Sequence, residues 1–217
     1  METILKDLEN IFLALYVIVF IISILKFPLY KNTPLKFLPL IFFFTILAEY
    51  LGKYLTHLGK IHLNIFVHNI YYLVHFSFFF YVFMKVIDNI RFKKYIGICL
   101  GVFLLFFFND TVFTGIFENS FTKTYIAGAG ILVVCIILYY VNILQSSQVL
   151  VIKNDLLFWV SVGLFLFYIG YIPIKIIRTW FYKPDSFFEI LLIIQFSLII
   201  IMCLFFLTGF LWMKKKS

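Results

Sequence analysis

Few side chains inside the long apolar runs of this chain are able to carry a charge, move a proton or hold a ligand. Glu49 stands in TILAEYLGKY, and His68, Asn69 and His75 stand in IFVHNIYYLVHF. Asp110 follows the Phe106 to Phe108 run, Tyr168, Tyr171 and Lys175 close a later run, and Gln195 enters the last. An ionisable group in hydrocarbon costs roughly 2.5–3.5 kcal/mol on insertion scales, so each calls for a partner or a wet cavity. Together these nine residues predict a polar cup for a small ligand or ion near one face of a membrane. A plainer assignment competes with it. Glu49 has Lys53 one turn on, a favourable i,i+4 order, and Asp110, Lys175 and Glu189 suit interfacial positions from which charges reach headgroups.

Other chemistries find less support. His68 and His75 are two turns apart on one face, about 10 Å between Cα atoms, which is too far for two imidazoles to share a tetrahedral ion. His75 instead reads as a hydrogen-bonding residue near the bilayer middle, or a proton carrier with Ser77 and Tyr81 as neighbours. Ser77, Ser161 and Ser197 lie in apolar runs, but no GxSxG turn and no phosphate-cradling glycine loop occurs. No catalytic residue, metal site or cofactor is therefore assigned. Cys99, Cys135 and Cys203 sit far apart in apolar stretches, outside any CxxC or Cys/His spacing, and read as small apolar fillers.

The elements that must position these groups follow from composition. Of 217 residues, 64% are hydrophobic, 22% aromatic and only 13% charged, with a mean hydropathy of +1.08. Ordinary soluble domains carry about 25% charged residues, so a water-soluble globule is excluded, and 31 Phe with 14 Tyr exclude disorder. Hydrocarbon offers no hydrogen bonds to the backbone, so runs of roughly 17–25 apolar residues predict spanning helices. Seven such runs occur, over 9–26, 35–52, 63–85, 95–113, 124–145, 156–175 and 187–213. The expected fold is all-α: one polytopic seven-helix transmembrane domain over 1–217. The first run should stay in place as a helix, because its flank METILKDLEN is acidic and no small-residue cleavage site follows. No linker exceeds about a dozen residues, which leaves no room for a soluble catalytic domain.

Lys and Arg are retained on the cytoplasmic side, and an odd number of spans separates the termini. An N-out, C-in orientation places Lys26, Lys31, Lys36, Lys85, Arg91, Lys93, Lys94, Lys153, Lys214, Lys215 and Lys216 inside, with Asp88 and Asp155 the only acids there. The net charge of +8 is thus a topology signal rather than a nucleic-acid footprint. The loop with Lys175, Arg178 and Lys183 runs against the rule. Arg91, Lys93 and Lys94, with Lys214, Lys215 and Lys216, would attract anionic lipid and offer a surface to a cytoplasmic or membrane protein partner. Gly97 and Gly101 form a GxxxG pair, Gly128 and Gly130 lie close together, and Gly163 and Gly170 are seven apart. All permit close helix approach, within the molecule or, for Gly97 and Gly101, in a homodimer. Pro173 should bend or end the sixth span.

At NIYYLVHFSFFFYVF and LLFWVSVGLFLFYIGYIPIKIIRTW the chain resembles a group of short seven-span inner-membrane proteins of Bacteroidota, over most of its length. The resemblance implies a multi-pass place in the bacterial inner membrane and assigns no residue a role. Three functions fit the residues: a small seven-helix sensor or signalling partner with a periplasm-facing pocket, a small-solute or ion transporter or channel using His75, Asn142, Ser161 and Gln195, and a lipid-acting enzyme in which Glu49, His68, His75 and Asp110 converge. A structural subunit of a larger complex is a fourth.

Overall fold

A computed structural model describes residues 2–145, 152–181 and 186–213. Among these residues the chain is helical and contains no strand. The helices are α1 (Glu2–Leu25), α2 (Phe27–Tyr30), α3 (Leu38–His57), α4 (Ile61–Val86), α5 (Ile90–Phe113), α6 (Thr122–Leu144), α7 (Leu156–Trp180) and α8 (Ser186–Trp212), with a 3₁₀ turn over Pro34–Phe37. Seven are long and apolar enough to cross a membrane; α2 is the short exception. The chain is an integral, multi-pass, all-α membrane protein.

The observed ends depart from the predicted spans where caps and overhangs outrun hydropathy. Helix α1 starts at Glu2 because its acidic flank is helical as well. Helix α5 starts at Ile90 because the Asn89 side chain accepts from the Arg91 amide at 3.0 Å. Helix α3 runs to His57 and closes on Gly59, whose φ of 70° lets the Lys60 and Gly59 amides turn back to the Leu55 and Thr56 carbonyls. Helix α7 does not end at Pro173 but continues to Trp180, and Ile174 is buried just beyond the proline.

The contacts divide into two compact units, Met1–Pro39 with Gln148–Ser217, and Leu40–Ser147. In the first, α1, α7 and α8 pack together. Gly163 and Gly170 admit α8 closely: a Cβ on Gly170 would lie 2.7 Å from Leu198, and one on Gly163 would lie 3.0 Å from the Met202 carbonyl. Gly209 of α8 does the same against Trp159. Tyr30 folds back beneath α1, donating to the Ser23 carbonyl at 2.6 Å beside Phe210.

In the second unit α4, α5 and α6 form a three-helix bundle. One face of α4 supplies its aromatic centre: Tyr72 and Phe76 meet Tyr125, Phe76 and Phe80 meet Phe103, and Phe83 meets Tyr139. Gly128 lies under the Phe76 and Phe103 rings, where a Cβ would approach within 2.7 and 2.9 Å. Gly97 and Gly101 differ: among the described residues nothing lies within 4 Å of either Cβ position, so that pair makes no close approach to α4 or α6.

Candidate functional site

The opposite face of α4 is polar. Asn64, His68, Tyr71 and His75 recur at i, i+4, i+7 and i+11, the repeat of a single helical stripe, and α3 meets them with Thr45, Gly52 and Thr56. At the loop end, the Thr56 hydroxyl donates to the Gly52 carbonyl at 2.9 Å and accepts from Asn64 Nδ2 at 2.8 Å. His68 Nδ1 donates to the Asn64 carbonyl at 3.0 Å, since a carbonyl only accepts. Gly52 is required at this level, because a Cβ there would stand 2.6 Å from His68 Cε1 and 2.7 Å from Asn64 Oδ1. Asn64 Oδ1 is buried without a hydrogen bond, the only such side-chain atom among the described residues. An acceptor in that condition forgoes about 1–3 kcal/mol, which makes it a point where a donor would be welcome.

Deeper in the span, proton counting orders a second set. The Thr45 hydroxyl donates to the Ile41 carbonyl at 2.9 Å, so its oxygen must accept from Tyr71 Oη, 3.1 Å away. The Tyr71 oxygen then accepts from His75 Nδ1 at 3.0 Å. The chain His75, Tyr71, Thr45 ends on a backbone carbonyl, which cannot pass a proton on. Phe76 and Phe79 stand edge-on to the His75 ring at 5.5 and 5.0 Å. The pairings of Thr45 with Tyr71 and of Gly52 with His68 put Glu49 at the level between them.

Two other sequence-predicted residues turn away from α3. Asn69, fully buried, donates to the Ile116 and Asn119 carbonyls at 3.0 Å each and accepts from the Phe121 amide at 3.0 Å. Asp110 Oδ2 accepts from the Thr124 amide at 3.1 Å and the Thr124 hydroxyl at 2.8 Å. Phe121, the residue before α6, has no capping side chain of its own, so the first turn of α6 is satisfied by side chains from α4 and α5. A carboxylate there also faces the positive end of the α6 dipole. His62, through its bond to the Phe117 carbonyl, and Phe66, stacked on Phe117 at 4.6 Å, hold the same loop. His68 and the His75–Tyr71 pair thus lie toward α3 while Asp110 faces α6, so these bonds do not bring Asp110 to the two imidazoles.

Tyr168, Tyr171, Lys175 and Gln195 belong to the other unit. Tyr168 and Tyr171 are buried against Phe167, with ring centroids at 5.1 and 5.2 Å. Gln195 accepts from Arg178 Nη1, and the Arg178 guanidinium covers the Phe188 ring at 5.0 Å. Ser161 bonds the Phe158 carbonyl within its own helix, and Asn142 accepts from the Asn89 amide at 3.4 Å. Among the described residues no three His, Cys, Asp or Glu side chains gather as for a metal ion. The basic residues Lys214, Lys215 and Lys216 lie outside the described residues, while Arg91 and Lys94 are exposed at the start of α5.

The sequence pattern contained a signal that hydropathy passes over. Asn64 and Tyr71 complete the histidine stripe at helical spacing, and Thr45, Gly52 and Thr56 repeat at i, i+7 and i+11 on α3. The fold and these polar seams define a polytopic membrane protein with a polar contact between two of its spans. No protein-family model, curated protein or solved structure matches the chain.

Proposed function

We propose that this protein is a small seven-helix sensor or signalling partner of a bacterial inner membrane, oriented N-out and C-in, with the loop end of the α3–α4 seam as its ligand-responsive element. The single observation that carries the reading is the buried, unbonded Asn64 Oδ1 beside the His68 ring at Gly52. Hydrogen bonds between polar side chains link α3 to α4, so a group that competes for those bonds alters how the two helices meet. The exposed basic residues Arg91 and Lys94, with the C-terminal lysines, would present the response to a cytoplasmic or membrane partner.

Hydrogen exchange on the full chain in lipid nanodiscs tests the reading, with a panel of small solutes and a titration from pH 8 to 5. The expected result is a change in amide protection confined to α3 and α4, lost in His68→Gln and Glu49→Gln. Protection that no solute or proton concentration alters, in wild type and variants alike, would remove the proposal.

A further inference from the structure

Residues 26–37, between α1 and α3, form a basic and aromatic elbow that belongs to the first unit and is independent of the α3–α4 reading. Local bonds set its shape. The Tyr30 hydroxyl takes up the Ser23 carbonyl, one of the last four that α1 leaves open, and so folds α2 back beneath α1. The Thr33 hydroxyl donates to the Tyr30 carbonyl at 2.8 Å and accepts from the Leu35 amide at 3.3 Å, which starts the 3₁₀ turn. Pro28 and Pro34 restrict the backbone further. Tyr30, Leu35 and Leu38 are buried, whereas Phe27, Lys31, Lys36 and Phe37 are exposed, with the Lys36 ammonium 4.9 Å from the Phe37 ring centroid.

Two helix ends of the same unit share the level of this elbow. Tyr30 lies against Phe210 near the end of α8, and the neighbouring Gly209 packs on Leu156 and Trp159 at the start of α7. Trp159 donates to the Lys153 carbonyl at 2.8 Å and meets Trp212 edge-on at 5.3 Å. Tryptophans gather at headgroup depth, so the elbow stands there too. The charge at this end is nearly all of one sign. Lys26, Lys31, Lys36 and Lys153 are accompanied by a single acid among the described residues, Asp155, whose carboxylate accepts from the Leu157 amide at 2.9 Å as the cap of α7. The acids of α1 and α8 stand toward the opposite ends of those helices, more than about 20 Å away at 1.5 Å per residue.

We propose that residues 26–37 bind the headgroup of an anionic phospholipid, with Lys26, Lys31 and Lys36 taking the phosphate and Phe27 and Phe37 lying among the first carbons of its chains. Cations beside exposed apolar rings at headgroup depth suit the charged face of a bilayer, and Leu25, exposed on the last turn of α1, continues the apolar margin. An acidic protein would meet the lysines but leave those rings without a role. The bonds of Tyr30 and Thr33 fix the backbone that carries the lysines before a lipid arrives, so less ordering opposes binding.

Full-length Trp180→Phe protein, which keeps Trp159 and Trp212 as reporters at this end, is placed in phosphatidylcholine nanodiscs that contain tail-brominated phosphatidylglycerol or, at equal mole fraction, tail-brominated phosphatidylcholine. Bromine quenches indole fluorescence on contact. The brominated phosphatidylglycerol should quench more strongly, and high salt should narrow the difference. Each of Lys26→Gln, Lys31→Gln and Lys36→Gln should lower the preference by up to about fivefold, and the triple variant should bring it close to parity. Lys60→Gln, between α3 and α4, should behave as the parent. If the triple variant fails to fold, Lys31→Gln, at an exposed position, is read alone. Equal quenching by the two lipids, the result expected if the lysines meet an acidic protein instead, overturns the proposal, as does a preference that survives undiminished in the lysine variants.

Discussion

Replacing Asn69 by Leu keeps side-chain size while removing the hydrogen bonds by which Asn69 ties the α5–α6 loop to α4. The Phe121 amide belongs to a fully buried residue and loses its acceptor, a cost of about 1–3 kcal/mol for a stranded donor. The Ile116 and Asn119 carbonyls lie at half-buried and exposed residues, regain water, and forfeit only the net value of a bond, about 0.5–1.5 kcal/mol each. The expected loss is therefore about 2–6 kcal/mol. Reversible unfolding by SDS in mixed micelles measures it, and hydrogen exchange locates it: the amides of Phe121 to Tyr125 should exchange much faster while those in the middle of α4 hold. Asn69→Asp should also destabilise, because it retains the acceptor for Phe121 but sets a carboxylate against two carbonyls. A loss below about 1 kcal/mol for Asn69→Leu, with unchanged exchange at the start of α6, would refute the assignment of Asn69 as a clasp.

Asp110→Ala should cost about 1–2 kcal/mol by removing the borrowed cap of α6, and Thr124→Val should reproduce most of that loss in the same SDS titration. Gly128→Ala should destabilise by about 1–3 kcal/mol through overpacking against the buried Phe76 and Phe103 rings. Gly97→Ala and Gly101→Ala, with open space around them, should instead be neutral or gain up to about 1 kcal/mol of helix propensity; a loss in both would mean that another surface covers that face. Tyr30 lies between the spans, and burial pushes its phenol well above the ordinary range, partly countered by its bond to Ser23. The native state therefore keeps the Tyr30 proton that the unfolded chain releases, so stability should fall as pH rises above about 10. Tyr30→Phe should flatten that decline in alkaline melting curves; an equal slope in the variant would show that other groups cause it.

The spans were legible because a bilayer imposes length and apolarity on each helix independently of its neighbours. Direction was not. Asn69 and His68 are adjacent in sequence and equally polar, yet 100° of helical rotation sends one to the α5–α6 loop and the other to α3. Asp110 reads as an interfacial charge from hydropathy alone, because nothing local reveals that the α6 start, TKTYIAGAG after Phe121, lacks a cap and must borrow one. The GxxxG pair shows the converse: Gly97 and Gly101 fit the packing pattern, whereas the close approaches fall at Gly52, Gly128, Gly163, Gly170 and Gly209. Spacing reports which residues share a stripe; only the assembled helices report what that stripe meets. The α4 stripe from Asn64 to His75 was within reach of periodicity, but its members are of four chemical types and do not stand out as a motif.

The borrowed capping of α6 also has a bearing on biogenesis. Both groups that satisfy its first turn, from Asn69 and Asp110, leave the ribosome earlier than α6 itself, so the receptor for that helix end is already made when the end emerges. If the preceding hairpin templates α6, a nascent chain long enough for Leu144 to have cleared the exit tunnel should already hold that turn, while one with Asn69 replaced should not.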